Sequence, residues 1–71
     1  MKVGDIVMYV GKGTYKEWFY GKIGEVRRSR INSAGEEYIN VVWNRPVKYF
    51  AGHTDNSSFR ASRFKLMKGA K

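Results

Sequence analysis

The chain has 71 residues, a formal net charge of +8 and no cysteine, and 15% of its residues are aromatic. This length allows one small domain with a modest core, which excludes a second domain and a deep, enclosed active site. The lack of cysteine excludes disulfides, thiolate zinc sites and a cysteine nucleophile, and His53, the single histidine, cannot build a histidine-rich metal site.

The first third of the chain predicts a strand followed by an aromatic loop. Apolar side chains alternate at 5–10, with a period of two that indicates a strand. Residues 11–14, "GKGT", form a turn cluster. Residues 15–20 carry four aromatic side chains and are predicted as a loop arm or the start of a strand. Glycines at 21 and 24 within a strand-like pattern suggest a bulge or a tight bend.

The remainder predicts further short strands. Residues 31–37 have the composition of a hairpin turn. Residues 38–44 form the clearest strand, and Trp43 lies on the face that should meet the core. Beyond it we predict a short strand at 47–50, a loop at 51–58, a turn at 60–63 and a strand at 64–68.

Short strands joined by glycine-rich turns predict a small all-β barrel or sandwich. We expect a single domain over residues 1–68, followed by a short basic tail at 69–71. No segment approaches the roughly 20 apolar residues of a membrane span, and "MKVGDIVMYV" lacks the longer apolar region of a signal peptide. A cytoplasmic protein without a membrane partner is therefore expected.

Two segments resemble the halves of a KOW motif, the strand–loop–strand unit of small SH3-like barrels. They are "VGDIVMYVG" and "YGKIGEVRR", although the stretch between them is longer and more aromatic than is usual in that motif. The resemblance implies a five-stranded SH3-like barrel with a short helical turn before the last strand, and partners among nucleic acids or the proteins that process them. The matching residues are Gly4, Asp5, Val7, Gly21, Lys22, Gly24 and Val26.

Three arginines follow the second half of this motif. Arg28 and Arg30 share one face of a strand, whereas Arg27 points to the other. Because one face should meet the core, we expect either that Arg27 lies at the end of the strand, beyond the core, or that the strand contains a bulge. Ile23 and Val26 should anchor the segment to the core, leaving the arginines on the solvent-reaching part of a hairpin. Arginine pairs well with phosphate, but a charge run is also typical of a merely solvated hairpin.

The C-terminal segment is the second basic element, since no acidic residue follows Asp55. If the barrel closes, this segment should lie near the first strand, and Lys12 and Lys16 would join the same positive field. A solubilising tail is the alternative explanation. The basic residues concerned are Arg60, Arg63, Lys65, Lys68 and Lys71.

The aromatic loop allows three roles. Tyr15, Trp18, Phe19 and Tyr20 cannot all be buried by so short a segment. Exposed rings beside lysines suit stacking on unpaired bases. They equally suit anchoring of a protein partner, or covering the open end of the barrel.

The strongly basic composition favours a nucleic-acid partner, although charge also serves solubility alone. We expect a non-catalytic protein that binds DNA or RNA mainly through phosphates, with low sequence specificity and no cofactor or metal. The alternative is a protein-interaction module or inhibitor, for example one encoded by a phage, that docks its basic face on an acidic surface of host transcription, replication or translation machinery. The expected contacts are Arg27, Arg28, Arg30, Arg60 and Arg63, supported by Lys12, Lys16 and Lys65, with Trp18 or Tyr20 stacking on a base.

Overall fold

The structure is a computed structural model that describes residues 1–11, 16–49 and 52–69. Five antiparallel strands form one sheet with the order β4-β3-β2-β1-β5. The prediction of an all-β fold with five strands and a short helical turn before the last strand is confirmed. In chain order the elements are β1 (Ile6–Tyr9), α1 (Lys16–Phe19), β2 (Ile23–Ile31), β3 (Glu37–Tyr49), β4 (Gly52–Arg60), a 3-10 turn (Ala61–Arg63) and β5 (Phe64–Lys68).

An aromatic cluster shows how strongly the sheet curls. Tyr9 on β1 lies 5.0 Å, centroid to centroid, from Phe59 on β4, although β2 and β3 separate these strands in the sheet. The Tyr9 ring also meets Phe64 of β5 edge-on at 5.4 Å. Phe19 of α1 stacks on Trp43 at 5.2 Å. The cluster therefore joins both edges of the sheet and α1 in one core.

The long strand β3 supplies the inner wall of this core. Ile39, Val41 and Trp43 alternate with outward residues and are almost fully buried, as the sequence predicts for Trp43. The Trp43 indole N–H donates a hydrogen bond of 3.1 Å to the Ser57 hydroxyl, which satisfies its polar atom. Each large apolar side chain buried in this way contributes about 1.5–3 kcal/mol. The buried apolar set among the described residues is Val7, Tyr9, Phe19, Val26, Ile39, Val41, Trp43, Val47, Ala61 and Phe64.

A bulge interrupts β2 at Arg27. Val26 pairs with Val41 and Arg28 pairs with the adjacent Asn40, so Arg27 is an extra residue without a partner on β3. Val26 therefore points into the core, while Arg28 points outward instead of inward. The bulge, one of the two arrangements expected from the sequence, is confirmed.

The prediction of a loop at 51–58 is wrong, because residues from Gly52 onward form β4. This segment is an edge strand, and its pairing with β3 holds it extended despite its polar composition. The strand predicted at 38–44 is also longer and runs to Tyr49. Pro46 fits within it because the pairing with β4 is irregular between Val42 and Val47, where no ladder N–H is needed.

Two expectations at the start of β2 are also wrong. Of the two alternatives for residues 15–20, the start of a strand is wrong, because residues 16–19 form one helical turn that places Phe19 in the core against Trp43. Ile23 does not anchor the hairpin, since it is 41% exposed. The backbone of Gly24 packs against Val41 instead and takes the inward position beside it.

The start of the chain is held against β3 by a charged hydrogen bond. The amino group of Met1 donates a bond of 2.9 Å to Glu37 Oε2, and the Ser29 hydroxyl donates one of 2.8 Å to the same oxygen. These donors, the amino group first, hold the pKa of the Glu37 carboxyl below its usual range. Because the folded-state pKa is the lower one, Glu37 stabilises the fold above the unfolded pKa, and this contribution is lost as pH falls through the folded pKa.

We expect Glu37→Gln to be less stable than the parent at about pH 7 by less than about 1 kcal/mol, because the ion pair is partly exposed. At a pH below the lowered folded-state pKa of Glu37 the difference should approach zero, since the parent carboxylate is then protonated too. Thermal melts at both pH values measure this. Glu17→Gln, on an exposed carboxylate of α1, controls for the lost charge. An equal loss of stability at both pH values would contradict the assignment of this stabilisation to the ionised Glu37 carboxylate.

Candidate nucleic-acid interface

Rows of paired residues cross the outward face of β2, β3 and β4. Their side chains point away from the core because successive side chains of a strand alternate between its two faces. The face carries an open groove of about 720 Å³, called the outer groove below. The paired rows are Arg30–Tyr38–Arg60, Arg28–Asn40–Ser58 and Glu25–Val42–Asn56. The outer groove is lined by Arg28, Arg30, Asn32, Tyr38, Ile39, Asn40, Val42, Asn56 and Ser58.

Two arginines give the outer groove uncompensated positive charge. Arg28 and Arg30 are exposed, and neither forms an ion pair with any carboxylate in residues 1–11, 16–49 or 52–69. Their alternate positions on β2 put their Cα atoms about 7 Å apart. Guanidinium groups spaced along a strand in this way can each pair with a successive phosphate of one nucleic-acid strand.

Arg60 borders the same face but is held by neighbours. Its Nε donates a hydrogen bond of 3.2 Å to the Tyr38 hydroxyl, and a guanidinium nitrogen lies 3.1 Å from a Glu36 carboxylate oxygen. The hydrogen bond to Tyr38 first, and then the charge of Glu36, raise the pKa of Arg60 further. Arg60 therefore stays charged and fixes Tyr38, with part of its charge balanced by Glu36.

Neutral polar groups and an apolar side chain complete the outer groove. The Asn40 amide donates to the Ser58 hydroxyl at 3.2 Å, and Asn56 donates to Asp55 at 2.7 Å. Val42 contributes apolar surface. Within the described ranges no group of three histidine, cysteine or carboxylate side chains could hold a metal ion. The groove presents guanidinium groups, amides and an aromatic ring, which are groups that can bind an anionic or aromatic ligand.

The other predicted basic contacts that belong to the described residues lie outside this groove. Arg27 sits in the bulge with its Nε 3.6 Å from a Glu25 carboxylate oxygen. The Arg63 carbonyl accepts a hydrogen bond of 2.8 Å from the N–H of Val10, so the 3-10 turn lies beside the end of β1 as expected. Lys65 is exposed on β5, and Lys12 lies outside the described residues.

The aromatic loop forms a separate basic and aromatic surface. Tyr20 is 55% exposed, and the Lys16 ammonium lies 5.8 Å from its ring centroid. Trp18 is partly buried against the core, so Tyr20 is the more accessible of the two predicted stacking residues. Phe19 is buried, and Tyr15 lies outside the described residues. Neither Trp18 nor Tyr20 lines the outer groove.

Sequence reasoning missed Tyr38, Asn40, Asn56 and Ser58. The alternation of β3 does place Tyr38 and Asn40 opposite the core side chains, which is a usable signal. Asn56 and Ser58 fall in the segment predicted as a loop, so only the register of β4 reveals that they complete the groove.

No protein-family model, curated protein or solved structure matches the chain. The functional conclusion therefore depends on the charges and geometry of the outer groove. Among the residues that the structure describes, no helix has the length and apolar character needed to cross a membrane.

Proposed function

We propose that this protein is a non-catalytic, KOW-type nucleic-acid-binding barrel that holds a phosphate backbone in its outer groove. The observation that carries the proposal is the pair Arg28 and Arg30, exposed in the groove and without carboxylate partners among the described residues. Arg60, at the other end of the row that begins with Arg30, adds a third guanidinium.

The wider charge distribution supports a polyanionic partner. The chain carries 14 lysines and arginines against 6 acidic residues, which attracts polyanions over distances set by salt screening. Contacts to phosphate position a nucleic acid without reading its sequence. We therefore propose low sequence specificity, with DNA and RNA both accepted.

The direct test is fluorescence anisotropy with labelled DNA and RNA oligonucleotides of about 20 nucleotides over a salt series from about 50 to 200 mM. Binding should weaken linearly in a plot of log K against log salt, with a slope of about −2 to −5 for roughly three to six phosphates. Failure to bind either polymer at the lowest salt would overturn the proposal.

A protein partner is a second candidate, favoured by apolar side chains on β5. Leu66 and Met67 are 50% and 48% exposed on this edge strand, between Lys65 and Lys68. An acidic protein surface with apolar residues would complement this pattern. A pull-down from nuclease-treated lysate tests it, because a stoichiometric partner that survives nuclease favours a protein complex.

A further inference from the structure

We propose that the outer groove takes single-stranded nucleic acid, with one unpaired base against Tyr38 and Val42 and adjacent phosphates on Arg28 and Arg30. The inference rests on the proposed nucleic-acid binding and deepens it by naming the form of nucleic acid. It follows from the shape of the groove, from the held ring of Tyr38 and from the polar and apolar groups beside that ring.

The first argument is shape. The outer groove is a concavity of about 720 Å³, within the range of about 300–1,000 Å³ typical of sites that enclose small molecules. A duplex keeps its bases stacked and offers only their edges, which are reached by a protruding helix or β-ribbon. A concave surface cannot reach those edges, whereas an unpaired base can turn out of its strand and enter the concavity.

The second argument is the held ring of Tyr38. Its hydroxyl accepts the hydrogen bond from Arg60 Nε, and the Arg60 guanidinium carbon lies 6.0 Å from its ring centroid. These contacts orient the ring before any ligand arrives, so little freedom remains to be lost on binding. An aromatic ring beside arginine is the surface on which bases stack, whatever their identity.

The third argument concerns the polar groups beside this ring. The Asn40 amide nitrogen donates to Ser58, whereas no side chain or backbone N–H in the described part of the chain donates to its Oδ1. This amide oxygen can accept from the exocyclic amine or ring N–H of a base. The apolar Val42 lies on the same strand face, two residues further along β3. Together they offer an unpaired base an apolar contact and a hydrogen-bond acceptor.

The test compares three labelled probes of about 12 nucleotides with equal numbers of phosphates per strand: a single strand, its duplex, and a single strand of abasic sites. The single strand should bind about tenfold or more tightly than either other probe. Equal binding of the abasic and ordinary strands, or tighter binding of the duplex, would overturn this inference while leaving nucleic-acid binding intact. Failure to bind any probe would instead overturn the proposed function itself.

Two variants locate the base. Tyr38→Ala should lower affinity for the ordinary strand about tenfold and hardly change affinity for the abasic strand, because only stacking is lost. Tyr38→Phe keeps the ring and loses the hydroxyl bonded to Arg60, so it should bind within about threefold of the parent. Equal losses on both probes would contradict the placement of the base. If a thermal melt shows that Tyr38→Ala is unfolded, the comparison of the three probes with the parent protein still tests the inference.

Discussion

Replacing Arg28 and Arg30 together by glutamine should weaken nucleic-acid binding about tenfold or more near 100 mM salt. Each guanidinium displaces counterions from a phosphate, so the slope of log K against log salt should become shallower by roughly 1.5–2. Both side chains are exposed and have no ion-pair partner in the described residues, so the melting temperature should hardly change. Anisotropy titrations of parent and variant over the same salt series measure both effects.

The matched control removes the same amount of charge from the neighbouring strand β3. Arg45 and Lys48 are exposed on β3 but do not line the outer groove. The double variant Arg45→Gln/Lys48→Gln should bind within about threefold of the parent, because it lowers only the general field. Equal weakening by both double variants would show that net charge, not the outer groove, determines binding.

Gly24→Ala should lower the free energy of unfolding by about 2–3 kcal/mol. A Cβ at this position would overlap Val41 Cγ1 and lie 2.7 Å from the backbone oxygen of Val42. The backbone oxygen belongs to the β2–β3 ladder and cannot move without breaking it. Thermal unfolding should show a melting temperature lower by roughly 10–20 °C.

Gly52→Ala serves as the control for this substitution. Gly52 begins β4, and a Cβ there would meet no atom within 4 Å. Its backbone angle φ is not among the positive values, so alanine fits without strain. We expect a change of less than about 1 kcal/mol, in the stabilising direction because the unfolded chain becomes stiffer. If both variants melt alike, the contact of Gly24 with Val41 and Val42 is not what requires glycine.

The sequence predicts the fold well where one face of a strand is buried. The alternation of β1 and of residues 38–44 locates two core strands and the place of Trp43, because burial of one face imposes a period of two. The turn predicted at 60–63 and the strand at 64–68 are confirmed at 61–63 and 64–68. Here local composition and tertiary packing favour the same structure.

Prediction from sequence fails where pairing with a neighbouring strand determines the secondary structure. β4 has a polar sequence, and only its ladder with β3 shows that it is a strand. The sequence therefore indicates the outer groove only in part, since it predicts Arg28 and Arg30 on one strand face but predicts a loop at Asn56 and Ser58. The apolar side chain of Ile23 predicts a position in the core, yet Ile23 is exposed and the neighbouring Gly24 occupies the inward position.

The bulge at Arg27 also limits how the length of β2 can change. Removing Arg27 would join Val26 to Arg28, whose partners Val41 and Asn40 are already adjacent on β3, so the ladder would close with no side chain changing sides. A one-residue insertion or deletion elsewhere in β2 would exchange the inner and outer faces from that point onward. Position 27 is therefore where this strand can gain or lose a residue, and with it one positive charge, without moving Arg28 or Arg30 from the groove.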